Sequence, residues 1–354
     1  MTQVSVLREF NMERIMQKTN ILNANPDILA GIVRSFGQKE FRARQIFGWL
    51  SKGVESFDDM SNIPAALRAK LEEEYYIGLT KVIVEQQSKT DGTRKCLFEF
   101  ADGARVESVF MKYSYGNSIC ISSQVGCRMG CSFCASTMSG LERNLTAGEM
   151  LGQILKMRNI TGEDIGHVVV MGMGEPFDNY DNLAEFIRLV NNPLGYGLGM
   201  RNITVSTCGI VPMIERFGRD FPQVNLAVSL HASNEERRKQ LMPVARSYGY
   251  DELISACRSY AEKTGRRVTF EYSMIDGVND SVQTANELAS HLKGWQTHVN
   301  LIPLNKVEGR SYNAAVNSNI MQFKKTLENS GIAVTVRRTL GADIDAACGQ
   351  LRNR

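Results

Sequence analysis

Residues 127–134, "CRMGCSFC", hold three of the chain's eight cysteines at the spacing C-x3-C-x2-C. Three thiols in one loop is an odd number for disulfides. It is also one short of a closed tetrahedral metal site. Two chemistries fit. A zinc ion could take the three with Cys120 or His231 as a fourth ligand, although zinc sites usually pair their ligands as C-x2-C twice. A cubane iron–sulfur cluster normally takes four thiolates, so three would leave one iron open to a ligand. Phe133, between the last two cysteines, could pack against that ligand or fill core space.

Other polar residues gather at turns. "GMGEP" (Gly172 to Pro176) has too few glycines for the G-x-G-x-x-G of a dinucleotide site. By itself it is a plain turn after a strand. With a ligand present, Gly174 would leave backbone polar groups open to an ammonium, and Glu175 could accept from it. Ser206, the run Ser229, Leu230 and His231, and Asn305 each follow or end an apolar run. Taken singly, the serine and the asparagine are strand-end caps, and the histidine is a satisfied structural one.

The elements that must hold these residues show a rhythm from about residue 117 onward. Apolar, β-branched runs ("SICISSQV", "HVVVMG", "RNITVST", "VNLAVSLHA", "RVTFEYSMI", "HVNLIPLN") alternate with helical patterns. "IAVTVRRT" adds one further strand. Thr146 and Glu149 form a capping box before the first helix. The reading is six βα units plus an extra strand. Eight units would close a barrel, so six predict an incomplete one, open on one side. Active sites of parallel α/β barrels lie at the C-terminal strand ends. There the cysteine loop, "GMGEP", Ser206, "SLH" and Asn305 would converge.

Upstream, residues 26–79 read as helical and 80–112 as strands with turns at Asp91-Gly92 and Asp102-Gly103. The organisation predicted is therefore a helical accessory domain at 1–79, a β-rich connector at 80–112, and an α/β core at 113–354. Arg34, Lys39, Arg42, Arg44 and Lys52 in the helical part fit either a nucleic-acid-binding face or a solvated one.

Composition bounds the rest. In 354 residues, 43% hydrophobic content supports a sizeable core, and 41 basic against 38 acidic residues permit an acidic partner without demanding one. No apolar window is long enough to span a membrane, and "MTQVSVLREFNMERIM" lacks the apolar segment of a signal peptide. A cytoplasmic protein with reduced thiols is expected.

The motifs together resemble the radical S-adenosylmethionine superfamily and, within it, the RlmN/Cfr family of RNA adenine methyltransferases. The blocks that carry the resemblance are "CISSQVGCRMGCSFCAST", "ERNLTAGE", "VVVMGMGEPFDNYDN", "ITVSTCGIVP", "SLHA", "FEYSMIDGVNDS", "HVNLIPLN" and "GADIDAACGQL", spanning about residues 26 to 351. The resemblance implies a partial (β/α)6 radical S-adenosylmethionine barrel. It implies a [4Fe–4S] cluster on Cys127, Cys131 and Cys134 whose open iron takes S-adenosylmethionine. Gly174, Glu175, Ser206, Ser229, Leu230, His231 and Asn305 are then the residues around that cofactor.

One branch of the family methylates C2 of an adenosine in 23S rRNA and of the adenosine 3′ to the anticodon in tRNA. The other methylates C8 of the same rRNA adenosine and confers antibiotic resistance. "CASTMSGLERNLT" and the proline in "MGEPFDNYDN" are similar to the C2 branch. The electron-poor C2 calls for radical chemistry, which the cofactors supply. The resemblance implies that Cys348 first takes a methyl from one S-adenosylmethionine. A radical made from a second molecule then activates that methyl, and Cys120 releases the methylated base by forming a disulfide with Cys348. Glu107 matches the family's proton acceptor. Cys96, Cys208 and Cys257 match no role. An external electron donor such as flavodoxin or ferredoxin is implied, as are rRNA and tRNA as partners, no membrane and a monomer. The reading from another class is a zinc-stabilised RNA-binding protein without catalysis.

Overall fold

The computed structural model describes residues 18–352. The stretch read for a signal peptide lies outside the described residues. Near the N-terminus β1 (Thr19–Asn20) pairs in parallel with β2 (Tyr75–Tyr76), closing a module of three helices, α1 (Pro26–Ser35), α2 (Phe41–Ser51) and α3 (Ala65–Glu74). Asn25 caps α1 by accepting from the Asp27 and Ile28 N–H groups, and Pro26 takes the first helical position, where no N–H is needed. Leu29, Val33, Ile46 and Phe47 bury the inner faces of these helices in the same hydrophobic core as the rest of the chain.

The strands β3 (Lys81–Gln87), β4 (Arg94–Glu99) and β5 (Arg105–Tyr113) run antiparallel and join β6 (Gly116–Ile121) along its edge. The segment expected as a connector is thus continuous with the main sheet. A small hairpin follows, β7 (Gln124–Gly126) with β8 (Leu141–Asn144), so the apolar run "SICISSQV" is not one strand but β6 and the start of β7. The break falls at Ser122. Its hydroxyl donates to the Glu107 carbonyl at 2.7 Å and accepts the Met173 N–H at 3.0 Å, so the chain turns away from the sheet.

The remaining chain is α4 (Ala147–Thr161), β9 (His167–Val170), α5 (Tyr180–Asn191), β10 (Ile203–Thr207), α6 (Val211–Asp220), β11 (Asn225–Ser229), α7 (Glu235–Leu241), α8 (Tyr250–Thr264), β12 (Val268–Met274), α9 (Val282–Leu292), β13 (Thr297–Pro303), α10 (Asn317–Asn329) and β14 (Ala333–Val336). In the sheet β6, β9, β10, β11, β12, β13 and β14 lie side by side and parallel, in chain order. These are the six units and the extra strand that the apolar runs predicted. The sheet order is linear, so the barrel stays open. The short helix α7 was not foreseen; its charged "EERRKQL" has too little apolar periodicity to announce it.

The helical module sits on α4. The Thr146–Glu149 capping box forms as expected, with both reciprocal hydrogen bonds. The Gly148 N–H donates to the Asn23 side chain at 2.7 Å, Arg158 donates to the Ser51 carbonyl at 2.9 Å, and Asn159 donates to the Gly53 carbonyl at 2.7 Å.

Candidate active site

The hairpin β7/β8 presents the cysteine loop at the C-terminal rim. The Cys127 N–H donates to the Gly140 carbonyl at 2.9 Å, and the Cys134 N–H to the Cys131 carbonyl at 3.2 Å. Gly126 has φ +74°, and a Cβ there would lie 1.9 Å from the Gly140 oxygen, so only glycine fits. Thr137 Oγ1 donates to the Cys131 and Cys134 carbonyls at 3.2 and 3.0 Å. Arg310 reaches the Cys134 carbonyl at 3.0 Å.

The three cysteines open into a cavity of about 150 Å³. Gly174, Glu175, Ser206, Ser229, His231 and Asn305 line the same cavity, so four strand-end segments converge on the cysteine loop. Leu230 is the exception among the residues grouped around the cofactor: its side chain lies in the core, and only its N–H acts, donating to the Glu271 carbonyl at 3.0 Å.

Gly174 has φ +99°, and a Cβ there would meet Gln124 Cβ at 2.5 Å. The carboxylate of Glu175 is already engaged. It accepts from the Phe177 N–H at 2.9 Å and the Cys208 N–H at 2.6 Å, bracing one strand end against the next while keeping lone pairs for a ligand. Burial raises its pKa above the ordinary carboxylate value. His231 has φ +55°; its Nδ1 accepts the Ser273 N–H at 2.9 Å, which leaves the proton on Nε2. Burial holds its pKa down to about 3, so the ring is neutral. Phe133 stacks edge-on against it, centroids 4.8 Å apart, and also lines the cavity.

A smaller adjoining cavity of about 30 Å³ is lined by Cys120, Tyr113, Met171, Arg337 and Cys348. Cys348, Arg337, Met171 and Asn305 face both cavities. The tail that carries Cys348 is stitched across the rim. Asn305 donates to the Cys348 carbonyl at 3.2 Å, the Ala135 N–H to the Gly349 carbonyl at 2.8 Å, and Ser136 Oγ to the Leu351 carbonyl at 2.9 Å. The disulfide expected between Cys120 and Cys348 is absent: both are free thiols. Burial pushes the Cys120 thiol up to about 12, with Cys348 the next cause.

Glu107 is not solvent-facing, as an isolated strand glutamate would be. It is 6% exposed, pairs with Lys95 at 3.0 Å and accepts the Arg352 N–H at 2.7 Å. It lines neither cavity, although it shares a face of β5 with Val109, Met111 and Tyr113, which line the smaller one.

Sequence reasoning passed over three residues of the site. Arg337 follows β14, and the rim rule that found Asn305 would have found it. Glu271, on β12, lines the main cavity and stands 3.9 Å from Arg337. Cys208, which matches no role in the sequence, lines the cavity beside the cysteine loop, whereas Cys96 and Cys257 are buried in the core.

Among the described residues, no three His, Cys, Asp or Glu side chains converge on a point that one ion could fill. The three thiols face a common cavity, as the ligands of a cubane with one open iron would. Cys127 is buried and Cys131 and Cys134 are half-buried, and desolvation raises the pKa of each, Cys127 to about 12. The residues present fit that group better than a zinc ion.

An open parallel barrel with this cysteine-lined rim defines a radical S-adenosylmethionine protein, and the radical SAM superfamily model matches residues 121–288. The model of the ribosomal RNA large subunit methyltransferase N-terminal domain matches residues 19–77. A protein of Lachnospira eligens is 51% identical over 95% of this chain and 96% of its own, and one of Lachnoclostridium phytofermentans is 49% identical over 96% of each. Both are named probable dual-specificity RNA methyltransferase RlmN. A crystal structure of a radical SAM methyltransferase from Sphaerobacter thermophilus superposes with a TM-score of 0.92 at 44% identity, over 95% of this chain and 100% of that one. The chain belongs to the RlmN family of radical S-adenosylmethionine methyltransferases.

Proposed function

We propose that this chain methylates C2 of a specific adenosine in 23S rRNA and of the adenosine 3′ to the anticodon in tRNA, through a methyl carried on Cys348. The observation that carries the reading is the place of Cys348. It is the one cysteine shared between the cavity of Cys127, Cys131 and Cys134 and the cavity of Cys120. A sulfur that must take a methyl in one site and be resolved in another belongs at such a boundary.

When bound, the [4Fe–4S] cluster supplies the electron that cleaves S-adenosylmethionine into a carbon radical. Cys127, Cys131 and Cys134 hold the cluster. Glu175 and the backbone around Gly174 orient the ammonium group of S-adenosylmethionine. Ser206, Ser229, Asn305 and the neutral Nε2–H of His231 supply the remaining polar contacts, with Leu230 contributing backbone only. The Cys348 sulfur accepts the methyl. After that carbon has lost a hydrogen atom to the carbon radical and joined the adenine, the Cys120 thiolate attacks Cys348; the bond from Cys348 to the new carbon breaks as an S–S bond forms, its electron pair passing into the electron-poor ring until a proton joins that carbon and completes the methyl group. Glu107 accepts a proton once the tail that donates the Arg352 N–H to it has moved aside.

The electron is drawn from an external donor of the flavodoxin or ferredoxin class, and the enzyme works as a cytoplasmic monomer. No helix among the described residues is long and apolar enough to cross a membrane. The test is an anaerobic reaction with 23S rRNA fragments and with tRNA, followed by mass spectrometry of the nucleosides. 2-Methyladenosine is expected from both RNAs. 8-Methyladenosine, or no methylated product, would overturn the reading.

A further inference from the structure

The proposed reaction makes no use of the buried charge of Arg238. Arg238 on α7 is 0% exposed. Its Nη2 donates to the Cys208 carbonyl at 2.5 Å, while Nε and Nη1 have no hydrogen-bond partner. Its neighbours on the helix take the nearby acids: Arg237 pairs with Glu287 at 3.0 Å and Lys239 with Glu235 at 2.7 Å. A guanidinium without a counter-charge is costly to bury. Arginine cannot escape that cost by losing its proton.

The helix end is fastened to the cysteine loop. The Ser132 N–H and hydroxyl both donate to the Leu241 carbonyl, at 2.9 and 3.2 Å. Leu241 and Met242 pack with Cys208, Cys131 and Phe133. The Cys208 residue stands between two charges, its N–H given to Glu175 and its carbonyl to Arg238.

We propose that Arg238 is a fixed positive charge behind the cysteine loop that favours the reduced state of the cluster. It is a positioning residue for electron entry, acting through the cysteine loop to which the end of α7 is fastened, and the inference rests on Cys127, Cys131 and Cys134 being the cluster ligands. Three thiolates make the bound cluster anionic, and one further electron makes it more so. A buried cation at the back of the loop lowers the cost of that added charge, because a low dielectric transmits it strongly. The electron comes from a low-potential one-electron donor. No bond forms or breaks at Arg238, and its proton stays in place.

The test is a reductive titration of the reconstituted protein, followed by electron paramagnetic resonance, in the wild type, Arg238→Gln and Arg238→Lys. Iron and acid-labile sulfide are assayed on each sample. Arg238→Gln removes the charge and leaves a shorter side chain with an amide donor, so its midpoint potential should shift to more negative values. Arg238→Lys, titrated at a pH low enough to keep its amine protonated, restores the charge and should stay near the wild type. A wild-type potential in Arg238→Gln with full iron content makes Arg238 a brace for Cys208 alone and overturns the proposal. Should Arg238→Gln lose its iron, Arg238→Lys decides: retention supports a role of charge, and equal loss overturns it. A wild-type protein that binds no iron and sulfide would instead remove the cluster reading itself.

Discussion

Cys120 and Cys348 line one small cavity as free thiols, and of the two only Cys348 also faces the cavity of the three clustered cysteines. This asymmetry separates their expected variants. Cys348→Ala removes the methyl acceptor and should form neither product nor adduct. Cys120→Ala should also lose product but trap RNA on the protein. The link would be carbon–sulfur, so the species survives denaturing gels and thiol reductant, unlike a disulfide. The double variant should carry none. An adduct persisting in the double variant would place the methyl on another residue.

Any one of Cys127, Cys131 or Cys134 changed to Ala should abolish both the brown colour and the cleavage of S-adenosylmethionine, because two thiolates leave the cubane under-ligated. Visible absorption and chromatographic assay of 5′-deoxyadenosine read the two effects. Wild-type deoxyadenosine formation by Cys131→Ala would refute the ligand assignment.

Glu107 carries a pH signature. Burial raises its pKa above the ordinary 4.5, against the opposing pull of the Arg352 N–H and Lys95. A carboxyl whose folded pKa is raised contributes stability below its unfolded pKa and loses it as pH rises through the folded one. Thermal melts should therefore show the difference between wild type and Glu107→Gln moving against the wild type as pH climbs above 4.5. The opposite slope would mean that the Lys95 pair outweighs burial. In turnover, Glu107→Gln should cost about 10²–10⁴-fold, the usual range for a lost general base.

The basic helices predict a salt effect with a correction from the structure. Arg34 and Arg44 are exposed on α1 and α2. Arg42 is tied down, donating to Gln45 at 2.7 Å and to the Asn62 carbonyl at 2.8 Å. If the first two meet phosphates, Arg34→Ala with Arg44→Ala should lower the slope of log K against log salt by about 2. Arg42→Ala should instead cost about 1 kcal/mol of stability, through its lost hydrogen bonds. Filter binding over a salt series and thermal melts distinguish the two, and an unchanged slope puts the RNA on another face.

Local chemistry was readable along the chain. The C-x3-C-x2-C loop, the Thr146–Glu149 capping box and the alternation of apolar strands with helices are short-range features. Each depends on neighbours within a few residues, and each appears in the fold as read. The rim rule brought Ser206, Ser229, His231 and Asn305 to the cysteines because parallel strands share a direction. What only the tertiary structure decided is long-range. The β connector joins the sheet edge because β5 finds β6. Glu107 is buried because Lys95 and the Arg352 N–H close over it, the latter from 245 residues away in the chain. Arg337 and Cys348 meet at the wall between two cavities, and Arg238 is sealed behind the cysteine loop by a helix too polar to be foreseen. Pairing of charges and closure of a tail over a site depend on which surfaces the folded chain brings together, and spacing along the sequence does not encode that distance.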